Sequence, residues 1–356
     1  MENGKIVDSG KFQLSAQSTL PVPHRPNTNG EIFLNVYARL KEPTLWADKG
    51  FVVAKEQFLI NPLNINPISA SGTDVKIEKL ADILQITAGT NVYRISATNG
   101  ELISWKKDGN ELLNGVLEPY FWKPANNVQK NNEYDQRLGV WKNAAQNRTT
   151  KSVNYHIKDK LAIINIDMNL PDIGADYQLS YTINREGKIQ VNATYMPYKE
   201  DIPKMPKFGM RMRLPADMTN IEWYGRGEFE NYPDRKSGYF IGLYSKPLSD
   251  FVTNYMVPQD NANRSDVRWF TLRTGNRHIK ITGLQPLNFR AWPYSEDDLE
   301  KARHPQDLPV RDFVNVNIDL NIHGVGGNDG WGAQTMEKYT IPGTIPYSYG
   351  FIMETK

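Results

Sequence analysis

The sequence predicts an all-β protein, on three observations. Short runs of alternating apolar and polar residues recur along most of the chain. The turns between them carry hairpin chemistry: Thr98-Asn99-Gly100, Lys107-Asp108-Gly109-Asn110 and Arg185-Glu186-Gly187. Helix signals are few, while Tyr and Trp are plentiful at 18 and 8, which suits strands and many carbohydrate-facing surfaces.

In order along the chain, residues 1–60 read as about four short strands: Lys5-Ile6-Val7, Glu31–Leu40, Phe51-Val52-Val53 and Gln57–Ile60. An immunoglobulin-like sandwich needs about seven strands, so 1–60 is expected to be a partial immunoglobulin-like domain. Residues 61–72 are rich in Pro, Asn and Ser and are expected to form a linker. From 73 to 356 strands recur closely, among them Ile83–Thr87, Asn91–Ser96, Glu101–Trp105, Leu161–Asn169, Tyr177–Ile183 and Lys188–Tyr195. A dozen or more strands in one continuous domain exceed a small barrel and predict a large antiparallel two-sheet sandwich.

Two helical exceptions are expected. Ser295-Glu296-Asp297-Asp298 resembles a capping box, predicting a helix to about Arg303, before Pro305. Tyr134, Leu138, Trp141 and Ala145 share one helical face, weakened by Gly139.

At 356 residues the chain is long enough for a large core and two domains. A net charge of +2 gives no case for nucleic acid or an anionic membrane surface. No apolar run approaches the ~18 residues of a spanning helix, and Met1–Lys5 leads into no apolar core, so neither a membrane segment nor a signal peptide is expected. The chain has no cysteine, which excludes disulfides and thiolate metal sites. His24, His156, His278, His304 and His323 lack metal-ligand spacing. No cofactor fingerprint, Gly-x-Ser-x-Gly elbow or EF-hand loop is present.

The candidate site is His323-Gly324-Val325-Gly326-Gly327-Asn328-Asp329-Gly330-Trp331-Gly332. It follows the cleanest strand, in which Val314, Val316, Ile318, Leu320 and Ile322 alternate with Asn315, Asn317, Asp319 and Asn321. A glycine-dense loop can hold an indole at a sheet rim, with Asn328 and Asp329 as short polar arms beside it. Sugars need that pairing of hydrogen-bonding groups and aromatic surface. The residues equally allow a tight turn whose Trp packs on its own sheet. Glycoside hydrolysis needs two carboxyl groups about 5–5.5 Å or ~6.5–9.5 Å apart, and context singles out no such pair. Glu228 and Glu230 would face one side if on a strand, and Asp234 could pair with Arg235 to fix the loop.

Four stretches resemble the large bacterial β-galactosidases of glycoside hydrolase family 2. Glu222-Trp223-Tyr224-Gly225 through Glu230-Asn231-Tyr232-Pro233-Asp234-Arg235 resembles the family's Trp-Tyr/Phe-Gly…Glu-Asn-Tyr-Pro-Asp-Arg. Tyr255–Asn261 with Arg264, Asp266, Arg268 and Trp269 resembles its Pro-Gln-Glu-Asn…Arg-x-Asp-x-Arg. Residues Gly324–Trp331 resemble its Gly-Gly-Asp-Asp-Ser-Trp loop, and Phe121-Trp122-Lys123-Pro124 the start of its Phe-x-Arg-Ala-Pro-x-Asp-Asn-Asp. The chain departs in Lys123 for Arg, Asn126-Asn127-Val128 for Asp-Asn-Asp, Asn328 for Asp and Gly330 for Ser.

The resemblance implies that 73–356 is the C-terminal domain, a galactose-mutarotase-like antiparallel β-supersandwich. It implies that Trp331, with Asn328 and Asp329, contacts a β-galactoside. It places the catalytic glutamates on a (β/α)8 barrel outside this chain, so the expected partners are the substrate and the parent enzyme's catalytic barrel, with a homo-oligomer compatible. Catalytic residues, metals and cofactors are expected to be none here, and the compartment stays open between bacterial cytoplasm and periplasm. The alternative is a free-standing sugar-binding or aldose-mutarotase-like protein, which would need an acid and a base near the anomeric carbon.

Overall fold

The computed structural model describes residues 1–12, 19, 30–70 and 75–355. His24 and the end of the expected linker, Ser71-Gly72, lie outside the described residues. The strands form three sheets, of two, five and twelve strands, and the named strands pair antiparallel throughout. The all-β expectation holds.

The two-stranded sheet pairs Ile32–Arg39 with Val52–Asn61. Residues 51–53 and 57–60 are therefore one strand, not two: Ala54, Lys55 and Glu56 are weak strand formers, but pairing with Ala38, Tyr37 and Val36 carries the strand through them. Lys5-Ile6-Val7 forms no strand, and Lys5 makes only an isolated bridge to Glu2. The hairpin is fastened to the body of the molecule. Gln57 accepts from the Ile241 amide at 2.8 Å and donates to the Ile241 carbonyl at 2.9 Å, and Glu31 pairs with buried Arg268. The 62–70 stretch has no regular structure, yet the Ile68 amide donates to Gln190 at 3.0 Å.

The five-stranded sheet runs from Lys76–Leu80 to Asn110–Glu111 in chain order. The twelve-stranded sheet branches at the long strand Arg277–Trp292. Its first half pairs with Tyr347–Thr355, its last residues pair with Phe313–Ile322, and Arg264–Thr274 follows its other edge. A continuous apolar core joins the five- and twelve-stranded sheets, with Phe208 stacked on Phe121 and ringed by Tyr177, Tyr195 and Tyr349, while Phe33 of the hairpin packs in a separate cluster with Tyr224 and Ile241.

The Ser295 capping box forms and starts the helix Glu296–Lys301. The other amphipathic stretch is broken into Tyr134–Leu138 and Trp141–Ala144 around Gly139, although Tyr134, Leu138, Trp141 and Ala145 are all buried as expected.

The strand Phe313–Ile322 is buried on both faces over most of its length. Three of its polar alternates, Asn315, Asn317 and Asp319, are fully buried. Lys207 Nζ donates to Asn317 at 2.5 Å and Asp319 at 2.7 Å, and Arg290 lies 3.5 Å from Asp319. Helix 296–301 closes this face: Asn315 and Asn317 donate to the two oxygens of Glu296 at 2.9 and 3.0 Å. Burial works against a charge on Glu296, but Arg211 and Lys207 outweigh it and hold its carboxyl at about 2. Burial pushes Lys207 down to about 8, against Asp319, and pushes Asp319 up.

Candidate functional site

Strand 313–322 delivers the chain into the glycine loop. His323, its first residue, is buried, and its Nδ1 lies 2.8 Å from the Gly324 carbonyl. Burial is the main reason its imidazole is pushed down to about 4, with Lys123, Lys204 and Arg137 adding to the effect.

The inner leg of the loop, residues 324–326, is gripped by side chains from elsewhere. Asp234 Oδ2 accepts from the Val325 amide at 2.9 Å and the Gly326 amide at 2.6 Å. Gln129 donates to the Gly324 carbonyl at 3.0 Å, joined by Thr335 at 3.2 Å, and Asn126 donates to the Val325 carbonyl at 2.7 Å. Gln129 is held in turn, because its Oε1 accepts from Lys123 Nζ at 2.9 Å and the Asn126 amide at 3.1 Å. Gln259 accepts from the Asn127 amide at 3.1 Å. Asp234 and the segment that follows Phe121–Pro124 thus hold the loop directly, and the Tyr255–Asn261 stretch braces that segment through Gln259.

The glycines serve close approach more than unusual backbone angles. A Cβ on Gly324 would lie 2.9 Å from the Asp234 carboxyl carbon, and one on Gly327 2.5 Å from the Ala333 carbonyl oxygen. Within the loop only Gly332 needs the left-handed region, at φ +134°.

At the tip, Trp331 is 93% exposed. The indole does not pack on its own sheet, which removes the tight-turn alternative. Asn328 and Asp329 are exposed beside it. Asp329 Oδ1 is engaged by the loop itself, accepting from the Trp331 amide at 2.8 Å and the Ala333 amide at 3.3 Å. Asn131 and Asn132 donate to the Gly330 and Ala333 carbonyls at 2.9 and 3.2 Å.

Two expectations need correction. Asp234 does not pair with Arg235. The turn after Tyr232 sends Arg235 to Glu230 and leaves Asp234 facing the loop amides. Glu228 and Glu230 are not on a strand, since the strand ends at Arg226. Glu228 is exposed, 3.5 Å from Lys246. Glu230 is buried and saturated by Arg235, the Tyr255 hydroxyl and the Ala262 amide at 2.7 Å. Gln129, Asn131, Asn132 and Thr335 had no signal in the sequence, because each acts through one side-chain contact to backbone nearly 200 residues away or across a loop.

Among the described residues, no group of His, Asp or Glu could hold a metal, and no helix is long and apolar enough to cross a membrane. The charged side chains under strand 313–322 are sealed: Lys207, Arg290 and Asp319 have no exposure. A cavity of about 440 Å³ lies between hairpin and body, lined by residues that include Phe33, Gln57, Leu59, Arg226, Asp266 and Arg268, and shares no residue with the loop.

Residues 87–353 match the family described as "Beta galactosidase small chain", and residues 1–61 match "Beta-galactosidase, domain 4". A β-galactosidase of Priestia megaterium is 31% identical over 99% of this chain and 35% of its own length. One from Lactobacillus delbrueckii subsp. bulgaricus is 30% identical over 94% of this chain and 32% of its own. The chain spans about a third of the length of these curated relatives. Among solved structures, a GalM/aldose epimerase homologue from C. elegans overlaps 79% of this chain and 99% of its own at 10% identity, with a TM-score of 0.46, too loose to bear on function. With the family match running over most of its length, the chain belongs to the β-galactosidase small chain family.

Proposed function

We propose that this chain is the C-terminal part of a β-galactosidase, that it walls the sugar site with Trp331, and that a catalytic barrel in the rest of the enzyme performs the hydrolysis. Residues 1–60 are the later part of an immunoglobulin-like domain, 61–72 a linker, and 73–356 the supersandwich that carries the loop. The observation that carries the reading is an exposed indole on a loop whose base is held by buried Gln129 and half-buried Asp234. An aromatic side chain costs apolar exposure in water unless something covers it, and a sugar face beneath a neighbouring barrel is suitable cover. Phe229, Met256 and Met336, on the same hydrogen-bonded stretches, are also exposed and suit a protein neighbour. Of the polar arms, Asn328 is the better candidate for a sugar hydroxyl, because one oxygen of Asp329 is already spent on the loop.

The free-standing mutarotase reading has less support. It needs an accessible acid and base, and the charged cluster under strand 313–322 is closed to a sugar. The deciding experiment uses the assembled enzyme. Trp331→Ala should weaken galactoside binding by roughly 1–3 kcal/mol, the scale of one lost aromatic surface; unchanged KM and kcat would sink the platform role. The purified chain alone should neither turn over a chromogenic β-galactoside nor speed galactose anomerisation. Anomerisation by the chain would favour the mutarotase reading.

A further inference from the structure

We infer that Asp234 and Gln129 are positioning residues for Trp331: they fix the inner leg of its loop and thereby set where the indole stands against a bound sugar. This rests on the platform reading above. Between His323 and Asn328 the leg carries a single side chain, that of Val325. Val325 packs against Tyr232 and Ile322, but the rest of the leg has no side chain to pack, so its position depends on groups that seize its backbone. Asp234 takes two successive amides with one oxygen, at 2.9 and 2.6 Å, and charge-assisted bonds of this kind are stronger than neutral ones. Gln129 takes the carbonyl just before them, at 3.0 Å, and is itself buried and braced by Lys123. Two consecutive peptide groups, Gly324–Val325 and Val325–Gly326, are thus held by residues about 90 and 195 positions away in sequence. Gly324 has no Cβ because the Asp234 carboxylate lies against it, so the glycine and the carboxylate form one fitted contact. The tip differs: its ties are the exposed amide of Asn131, that of Asn132 and the loop's own Asp329. Loss of the grip on the inner leg would let the whole tip swing, and misplacement by about an ångström is enough to cost a binding contact.

The test uses the assembled enzyme carrying Asp234→Ala, Asp234→Asn, Gln129→Met or Trp331→Ala, and each of the first three combined with Trp331→Ala. Asp234→Ala and Gln129→Met should raise KM for a chromogenic β-galactoside ~5–20-fold with kcat within about twofold, because uniform binding is what a misplaced platform loses. Asp234→Asn keeps an acceptor oxygen and should recover most of the loss. In the Trp331→Ala background the same changes should add nothing, since there is no indole left to position. A residue that only stabilises the fold would lower the active fraction, and so the apparent kcat, without moving KM. Should Asp234→Ala fold poorly, Gln129→Met and Asp234→Asn still decide the matter through KM. Wild-type KM in the Asp234 and Gln129 variants beside an impaired Trp331→Ala, or full additivity in the double variants, overturns the positioning role alone. An unaffected Trp331→Ala overturns the platform reading, and the positioning role with it.

Discussion

The strands Leu161–Leu170 and Phe313–Ile322 carry almost the same message, Asn165-Ile166-Asp167-Met168-Asn169 in one and Asn317-Ile318-Asp319-Leu320-Asn321 in the other. In the first, every second residue is buried and the alternates stay partly exposed, so Asp167 meets Ser152 at 2.7 Å and Gln178 at 3.0 Å on an open face. In the second the polar face is roofed by helix 296–301 and filled by Lys207 and Arg290, and Asp319 has no exposure. A period of two fixes which residues share a face. It does not say what lies above that face, and an identical Asn-Ile-Asp becomes surface in one place and buried ionic core in the other.

The comparison is broken most directly at the two aspartates. Asp319→Ala leaves Lys207 and Arg290 buried with a counter-charge removed, and should cost about 3–5 kcal/mol in urea unfolding of the purified chain. Equal losses from Asp319→Ala and Asp167→Ala would mean that the burial contrast has no energetic content.

The next effect lies one residue beyond the buried strand. His323 titrates near 4 in the folded protein against 6.5 when free, because burial disfavours its charged form. Between those values the unfolded chain takes up a proton that the native state refuses. Stability present above pH 6.5 is therefore lost as pH falls towards 4, by roughly 3 kcal/mol in all. Urea midpoints at pH 7.5, 6 and 5 should fall in that order, and His323→Gln should flatten the slope. An equally steep slope in that variant would assign the loss to another group.

Smaller effects sharpen the contrast. Ser295→Ala removes the hydroxyl that caps the roofing helix and should cost about 1 kcal/mol. Amide exchange should then rise over 313–319 and stay unchanged over 161–170; a uniform rise would detach the helix from the strand it covers. Smallest of all, Asp167→Ala should stay within about 0.5 kcal/mol of the parent chain, as surface changes usually do.

What the sequence made legible follows from the range of each signal. Turns such as Arg185-Glu186-Gly187 and the Ser295 capping box are local and were readable. Trp331 stands out in the sequence as a candidate because few arrangements explain an indole after so many glycines. The partners that hold its loop were not. Gln129 has no periodic or turn signature, and its contact spans 195 residues. Sequence adjacency suggests Arg235 as the partner of Asp234, whereas the turn separates them. The continuous strand 52–61 was read as two, because Ala54-Lys55-Glu56 looks like a gap until its partner strand is known. The single strand 52–61 thus reflects pairing, which a strand's own composition does not encode.

The fit between Gly324, Gly327 and the surfaces they touch limits how this loop can change over time. At 327 a side chain would collide with a backbone carbonyl, and at 324 with the Asp234 carboxylate that grips the loop, so substitution at 324 would disturb that grip. At 330 a Cβ would meet nothing, and at 328 and 331 the side chains stand in the open. Random substitution of the whole loop followed by selection for activity should therefore return a frozen stem and a varied tip. Natural or laboratory drift in what this loop presents to solvent has mainly that tip to work with, on a support that is hard to change.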